Sequence, residues 1–197
     1  MGRSKVGQSL ANAVGVKEKE SDKTQIRKAI EGVVDATAVL QQMRMGALIV
    51  FERHTKLGEI VETGTIVEAD PSAQLIANIF FNKAPLHDGA MIIRAGRIYS
   101  AGCILPLSSN ISISADLGTR HRAGLGMSEN SDAVVVVVSE ETGQISIALN
   151  GRLTRNYNRV TLREKLEQLL ISSSEGAASG GKRILGKLGF SSSKKEA

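Results

Sequence analysis

The chain of 197 residues lacks tryptophan, and only 3% of its residues are aromatic. A hydrophobic core must therefore be built from Val, Ile, Leu and Ala. Stacking of bases on aromatic rings is a common way to bind single-stranded nucleic acid, so the shortage of aromatics argues against that class of function. At this length, one domain with a full core is the expected organisation.

Cysteine and long apolar runs are also scarce. Cys103 is the only cysteine, so an intramolecular disulfide is excluded and the chain suits a reducing compartment. The longest apolar runs, 46–51 and 133–138, fall far short of the about 18 residues that a membrane-spanning helix needs. The first residues contain neither a signal-peptide core nor a myristoylation motif. We therefore expect a cytoplasmic protein without a transmembrane segment.

The net charge of +5 is carried by the ends of the chain. Residues 1–23 carry +2 and residues 172–197 carry +3, whereas residues 24–171 contain 15 basic and 15 acidic side chains. A neutral central region lacks the basic footprint that DNA or RNA binding requires, which argues against a nucleic-acid partner for it. A protein that contacts nucleic acid through its basic ends remains an alternative.

Composition divides the chain into three segments. Residues 1–23 are predicted to be a flexible basic N-terminal segment, and residues 172–197 a basic low-complexity tail rich in Ser and Gly. Residues 24–171 are predicted to form the folded domain. It opens with a helix over 24–44, because apolar residues recur there at helical spacing.

Local patterns predict several elements inside the domain. Residues 46–53 form a continuous apolar run typical of a buried strand. Asp70 and Pro71 suit the start of a helix that ends near Phe80, and Thr161 begins a capping box for the last helix. Two hairpins are predicted to pair 90–94 with 97–105 and 133–139 with 144–149. Together these elements favour an α/β fold with a central mixed sheet flanked by helices.

Two polar clusters contain the residues best suited to chemistry. The first joins His87 and Asp88 to Gly89 and Ala90, and an adjacent imidazole and carboxylate suit the Mn²⁺ or Mg²⁺ that accompanies a nucleotide. The second is the segment Gly118-Thr119-Arg120-His121-Arg122. Its two guanidinium groups suit a polyphosphate. Taken singly, an Asp-Gly pair is often only a turn, and a basic triplet only a solvated surface.

The residues around the second cluster strengthen the phosphate interpretation. Asp116 or Thr119 could cap a helix whose free amides point at an anion. Arg120 and Arg122 in the first turn oppose the helix dipole, which is easier to explain if a phosphate lies between them.

A third polar group follows the run of five valines. If the strand continued through it, Ser139 and Glu141 would lie on one face and Glu140 on the other. A hairpin turn made of polar residues is an equally good interpretation.

In this order and spacing, the three groups resemble the diadenylate cyclase domain family. The resemblance covers roughly residues 25–171 and extends to segments 46–53, 62–64 and 105–108. It implies an enzyme that condenses two ATP into cyclic di-AMP and two pyrophosphates, in a mixed sheet of about seven strands. It also implies a homodimer or higher homo-oligomer, because two ATP molecules must be held between facing subunits.

The resemblance implies a role for each of these residues. Asp88 would activate or position the 3′-hydroxyl across the dimer and contact the metal, with His87 as a further metal ligand. The remaining roles are a floor under the nucleotide (Gly89, Ala90), phosphate binding (Gly118, Thr119, Arg120, His121, Arg122), completion of the phosphate and metal shell (Ser139 with Glu140 or Glu141) and contact with the adenine edge (Leu105).

Two further expectations follow from the family. Some members carry transmembrane helices before this domain and others a DNA-binding domain after it. Since this chain contains neither, a cyclase that stands alone or is recruited through its tails is the simplest account. The alternative is a non-catalytic module that senses ATP or a cyclic dinucleotide.

Overall fold

The computed structural model describes residues 5–109 and 117–172 of the chain. These ranges contain five α-helices and seven strands, and a π-helical turn, Gln168–Ser172, ends them. In chain order the elements are α1 (Lys5–Met43), β1 (Ala47–Phe51), α2 (Gly58–Glu62), β2 (Thr65–Ala69), α3 (Ala73–Ile79), β3 (Ala90–Arg94), β4 (Arg97–Cys103), α4 (Thr119–Asn130), β5 (Val134–Val138), β6 (Ile145–Leu149), β7 (Arg152–Tyr157) and α5 (Arg159–Glu167).

The strands form one mixed sheet in the order β2-β4-β3-β1-β5-β6-β7, which confirms the predicted fold class. Strand β1 is parallel to β3 and antiparallel to β5, and β3 is antiparallel to β4. The amino-terminal ends of β1 and β3 therefore lie at the same edge of the sheet as the carboxyl-terminal ends of β4 and β5. Both predicted hairpins, β3–β4 and β5–β6, are confirmed.

Each face of the sheet is covered by helices. Val134, Val136 and Val138 of β5 pack in the core beneath α1, α3 and α5. The alternate residues Val135 and Val137 point to the other face, which α4 covers. Because successive side chains of a strand alternate between faces, a run of five valines suits a central strand buried on both sides.

Helix α1 is longer than the sequence pattern predicts. We expected a flexible segment over 1–23 and a helix over 24–44, but the chain is helical from Lys5 to Met43. Good helix formers such as Ala, Gln, Glu and Lys fill the early part, and no proline interrupts it. The apolar stripe used for the prediction covers only the part that packs on the sheet. None of the helices within the described ranges combines the length and apolar character needed to cross a bilayer.

Two predicted helix starts are wrong by a few residues. Ser72, not Asp70, caps α3 by accepting a hydrogen bond from the Leu75 amide at 3.2 Å. Asn158 caps α5, and Thr161 completes the capping box as its third helical residue. In both cases another residue with a good capping side chain lies close by in the sequence, and local pattern does not decide between the two.

Three elements were not predicted from pattern. Strands β2 and β7 lie at the two edges of the sheet and are largely exposed, so they lack a continuous apolar run. Helix α2 has only five residues. The predicted tail, 172–197, lies almost wholly outside the described residues.

An ion pair with a buried carboxylate joins the carboxyl-terminal ends of β1 and β3. The Glu52 carboxylate, 1% exposed, accepts hydrogen bonds from Arg94 Nε and Nη2 and from the Leu57 amide at 2.8 to 3.1 Å. The Arg94 guanidinium stacks 3.9 Å from the centre of the Tyr99 ring. Burial opposes ionisation of this carboxyl, but the hydrogen bonds from Arg94, Leu57 and Lys56 outweigh it and lower the pKa of Glu52.

We predict that Glu52→Gln lowers the free energy of unfolding by about 3 kcal/mol at pH 7, because it leaves the Arg94 guanidinium without its charge partner. A depressed carboxyl pKa contributes stability above the unfolded-state pKa, and this contribution is lost as pH falls through the folded-state pKa. Urea denaturation should therefore show the variant approaching the unmutated protein at acidic pH.

Asp70→Asn is the matched control, since Asp70 pairs with Arg97 on the exposed surface. Exposed pairs are worth about 0–1 kcal/mol, so this variant should unfold almost like the unmutated protein. Equal losses from the two substitutions would contradict the assignment of Glu52 as a stabilising centre.

Candidate active site

A cavity of about 800 Å³ opens at the sheet edge where β1 and β3 begin and β4 and β5 end. This volume lies in the range of pockets that hold small molecules. The first turn of α4 and the turn after β5 form its polar walls, and the ends of β3 and β4 form the rest. Because these segments come from four parts of the chain, the sheet topology is what brings them together.

The amino terminus of α4 contributes backbone donors to the cavity. Gly118 is the N-cap, and no side chain caps the helix. The predicted cap by Thr119 is therefore wrong, since Thr119 is the first helical residue, and Asp116 lies outside the described residues. The first amides of a helix have no intrahelical acceptor and carry a partial positive charge, so this end suits an anion.

Arg120 extends from the first turn of α4 into the cavity. Its Nη1 donates to Glu140 Oε2 at 2.6 Å. The guanidinium lies so close to Gly46 that a Cβ at that position would overlap it. Glycine at 46 is thus required for the close approach of this cation to the start of β1.

Arg122 takes a different direction from Arg120. Its Nη2 donates to the Ser108 carbonyl oxygen at 3.4 Å, and the side chain does not line the cavity. Two residues apart on a helix differ by about 200° around its axis, which explains why the two side chains diverge. The structure therefore brings one of the two predicted arginines to the cavity.

His121 is buried and lines the cavity. Its Nε2 atom has no hydrogen-bond partner among the described residues. Burial and the nearby positive charge of Arg155 lower the pKa of His121, and Glu141 opposes them only in part. A neutral imidazole with an unpartnered nitrogen can donate to, or accept from, a polar group that comes within hydrogen-bonding distance.

The first polar cluster is divided between the cavity and its surroundings. Asp88 is exposed and lines the cavity together with Gly89. A Cβ at Gly89 would lie 2.7 Å from the Gly102 carbonyl carbon, and its φ of +115° favours glycine. Ala90 is buried at the start of β3, and His87 lies outside the lining, with its Nδ1 donating to the Ala84 carbonyl oxygen at 2.6 Å.

The third polar group forms a turn rather than a continuation of β5. The strand ends at Val138, and the Ser139 oxygen atoms accept from the Thr142 amide at 3.2 Å and the Gly143 amide at 2.9 Å. Of the two interpretations, the hairpin turn is therefore the one observed, and the alternation expected for a continued strand, with Glu140 facing away from Ser139 and Glu141, does not apply. All three side chains line the cavity.

The opposite wall is mainly apolar. Leu105 lines the cavity, together with the exposed side chains Ile104 and Leu107 and the buried thiol of Cys103. Burial raises the pKa of the Cys103 thiol, so it is held in the neutral form. An apolar wall beside backbone groups suits a nucleobase.

The described carboxylates and imidazoles do not form a metal cage by themselves. No group of three or more such residues lies close enough together within the described ranges. Asp88, Glu140 and Glu141 nevertheless line one cavity. Mg²⁺ is commonly held by one or two carboxylates together with substrate phosphates, and this donor set fits that mode.

Sequence reasoning missed some residues that contact this site. Gly102 lies under Gly89, Arg155 acts on His121 from β7, and Gln41 and Arg44 contact the turn after β5. The one available signal was that Arg44 lies in the short connection between the long helix and the buried strand β1.

The fold and the site together define the class of protein. The mixed α/β domain has a cavity of small-molecule size. One wall of this cavity carries a helix amino terminus and an arginine, and another wall is apolar. These features are those of a nucleotide-binding domain. The chain belongs to the DAC family: residues 34–153 match its model, described as the DisA bacterial checkpoint controller nucleotide-binding domain.

Known proteins similar to this chain carry related names. It is 45% identical over 141 residues to the cyclic di-AMP synthase CdaA of Bacillus subtilis, a match that covers 72% of this chain and 52% of that protein. It is 44% identical over 143 residues to a diadenylate cyclase of Listeria monocytogenes, covering 73% and 52%. The chain thus spans about half the length of these relatives.

A solved structure with a similar sequence identity to this chain has the same fold. The crystal structure of a cysteine double mutant of DacA from Staphylococcus aureus superimposes with a TM-score of 0.71 at 44% identity. The match covers 73% of this chain and 96% of that chain.

We predict that NMR titration of the metal-free protein gives His121 a pKa below the ordinary 6.5. The folded state then takes up a proton at lower pH than the unfolded chain, so His121 lowers stability as pH falls below the unfolded-state value. The His121→Asn variant identifies the resonance and should weaken this pH dependence. Titration of the ring above pH 6.5 would contradict the prediction.

Proposed function

We propose that this chain is a diadenylate cyclase that condenses two ATP into cyclic di-AMP and two pyrophosphates at a site shared by two facing subunits. The observation that carries the proposal is one cavity with an exposed carboxylate, Asp88, and a phosphate-binding wall made by the start of α4 and Arg120. The family and the names of the relatives support it.

The reaction is a phosphoryl transfer repeated twice. The 3′-hydroxyl oxygen of one ATP forms a bond to the α-phosphorus of the other, and the bond from that phosphorus to the bridging oxygen breaks. Pyrophosphate leaves with the electron pair, and the hydroxyl proton passes towards the Asp88 carboxylate. Such transfers depend mainly on positioning and on electrostatic stabilisation, which the charged walls of the cavity can supply.

A shared site follows from the symmetry of the product. The two phosphodiester bonds of cyclic di-AMP are equivalent, so two nucleotides related by a two-fold axis give the shortest route to it. Asp88 is exposed, and His87 next to it lies outside the cavity of its own chain. Asp88 lines the cavity of its own chain, but its side chain is exposed and can also reach a nucleotide held by a facing subunit.

The phosphates would bind at the start of α4. The Thr119 hydroxyl and the free amides beside Gly118 would donate hydrogen bonds to the phosphate oxygens, and the unpartnered nitrogen of His121 would be a further polar group near them. An incoming phosphate would replace Glu140 as the partner of Arg120. Glu140 is then free to serve as a ligand for a cation, so each charge keeps a partner throughout binding.

A divalent cation, Mn²⁺ or Mg²⁺, would supply further neutralisation of charge on the phosphates. His87, Asp88 and Glu140 or Glu141 would hold it. Because His87 Nδ1 donates to the Ala84 carbonyl, the lone pair of its other ring nitrogen is available to a metal.

The remaining predicted residues would shape the pocket. Gly89 and Ala90 keep the floor close to the nucleotide, Ser139 holds the turn that carries Glu140 and Glu141, and Leu105 borders the base. Arg122, which contacts the loop at Ser108, would position that loop rather than bind phosphate directly.

The direct test incubates the protein with ATP and Mn²⁺ or Mg²⁺ and measures cyclic di-AMP and pyrophosphate. Asp88→Asn should abolish the product and leave ATP binding largely intact. Binding without product in the unmutated protein, with every divalent metal tried, would instead support a non-catalytic sensing module.

We predict that mixing two inactive variants, Asp88→Asn and Arg120→Ala, restores a single bond-forming step. A mixed dimer contains one composite site with Asp88 from one subunit and Arg120 from the other. It should therefore make the linear dinucleotide pppApA with one pyrophosphate, which anion-exchange chromatography separates from cyclic di-AMP. Each variant alone should make neither product.

A site contained within one subunit gives a different result. The mixture then contains no intact site, and no linear product appears. Specific activity of the unmutated protein that stays constant on dilution below the dimer dissociation constant would likewise contradict the shared site.

A further inference from the structure

The end of helix α1 holds the turn that carries Glu140 and Glu141. Arg44 Nη1 donates to the Glu141 carbonyl oxygen, and Gln41 Nε2 donates to the Gly143 carbonyl oxygen, each at 2.9 Å. These bonds join residues about one hundred positions apart in the chain. They reach the turn through its backbone, so they leave its side chains available to the cavity.

The backbone of Arg44 has an unusual conformation for its residue type. The Met45 amide donates to the Leu40 carbonyl at 2.9 Å, and the Arg44 amide donates to the Gln41 carbonyl at 3.3 Å. This pattern is a Schellman motif, in which the residue after the helix adopts a left-handed conformation and is usually glycine. Arg44 has a φ of +54°. Glycine would occupy this position with less strain, so the side chain of Arg44 needs another explanation.

The residues that follow α1 also lie against Arg120, which belongs to the proposed phosphate-binding wall of the cavity. Gly46, two residues after Arg44, lies directly under the Arg120 guanidinium. Arg120 in turn pairs with Glu140. The segment from Gln41 to Gly46 therefore contacts Arg120 directly, through the bare glycine, and contacts the turn that carries Glu140 through the backbone carbonyls of Glu141 and Gly143.

We propose that Arg44 is a positioning residue for the nucleotide site, which holds the turn after β5 so that Glu140 and Glu141 face the phosphates. This inference rests on the proposed nucleotide function of the cavity. Gln41 assists at the far end of the turn. Arg44 does not itself line the cavity, so its effect passes through the turn.

The test is Arg44→Gly, which removes the side chain and suits the left-handed backbone. The melting temperature should stay the same or rise, because glycine relieves the strain at this position. Affinity for 3′-deoxy-ATP, which lacks the attacking hydroxyl and cannot react, should fall about fivefold, as expected for loss of one exposed hydrogen bond. Arg44→Lys keeps a donor and should recover much of this affinity.

Ala95→Gly is the matched control. Ala95 is exposed with a φ of +49°, in the turn between β3 and β4, and it lies at the sheet edge opposite the cavity. The Ala95→Gly variant should also keep or raise the melting temperature, and its affinity for 3′-deoxy-ATP should not change.

The outcomes separate this inference from the proposed function. Unchanged affinity in Arg44→Gly, or a fall in melting temperature that accounts for the loss, overturns the positioning role. Weaker binding of the analogue in Arg44→Gly supports the role even if the unmutated protein forms no cyclic di-AMP, a result that would overturn only the cyclase proposal.

Discussion

The site depends on the parallel pairing of β1 with β3 inside a sheet whose other neighbouring strands are antiparallel. This pairing places the starts of two strands at the same edge as the ends of two others. Four connecting segments therefore meet there, and each contributes a different kind of group: Asp88 and Gly89 before β3, the apolar wall after β4, the first turn of α4 before β5, and the carboxylates after β5. With an antiparallel β1–β3 pair, Gly46 and Gly89 would lie at opposite edges.

The cavity contains charged groups of both signs, and its arginine is already paired. Arg120 pairs with Glu140, and Arg155 and Glu141 act with opposite sign on the buried His121. A cavity lined only by cations would attract phosphates but would repel the metal ion that accompanies them. Charges of both signs suit a ligand that is itself a phosphate and metal complex, because Arg120 and Glu140 could each exchange the other for a part of that ligand. Burial lowers the pKa of His121 and so favours a neutral imidazole beside these charged groups.

The sequence predicts those parts of the fold and site that local pattern controls. The hairpins, the central strands and the approximate place of each polar group follow from periodicity, turn residues and resemblance. Edge strands β2 and β7 escaped prediction because their exposed side chains carry no apolar pattern. The turn at Ser139 depends on where β5 ends, and the cap of α4 depends on where that helix begins. Such boundaries follow from tertiary packing, so a sequence pattern leaves them open by one or two residues, which is enough to redirect a side chain.

Arg44, which joins the end of α1 to the turn after β5, is a residue whose presence stability alone does not explain. Strain in a left-handed residue other than glycine is of order 1 kcal/mol, and an exposed hydrogen bond contributes about 0.5–1.5 kcal/mol, so Arg44 adds little to the net stability of the fold. The two energies nearly cancel. The effect of Arg44 is therefore on geometry rather than on stability. Its strained backbone directs the guanidinium to a carbonyl of the turn, and Gly46, two residues later, lets Arg120 approach β1. Several residues at the end of one helix thus determine how two charged walls of the cavity lie relative to each other.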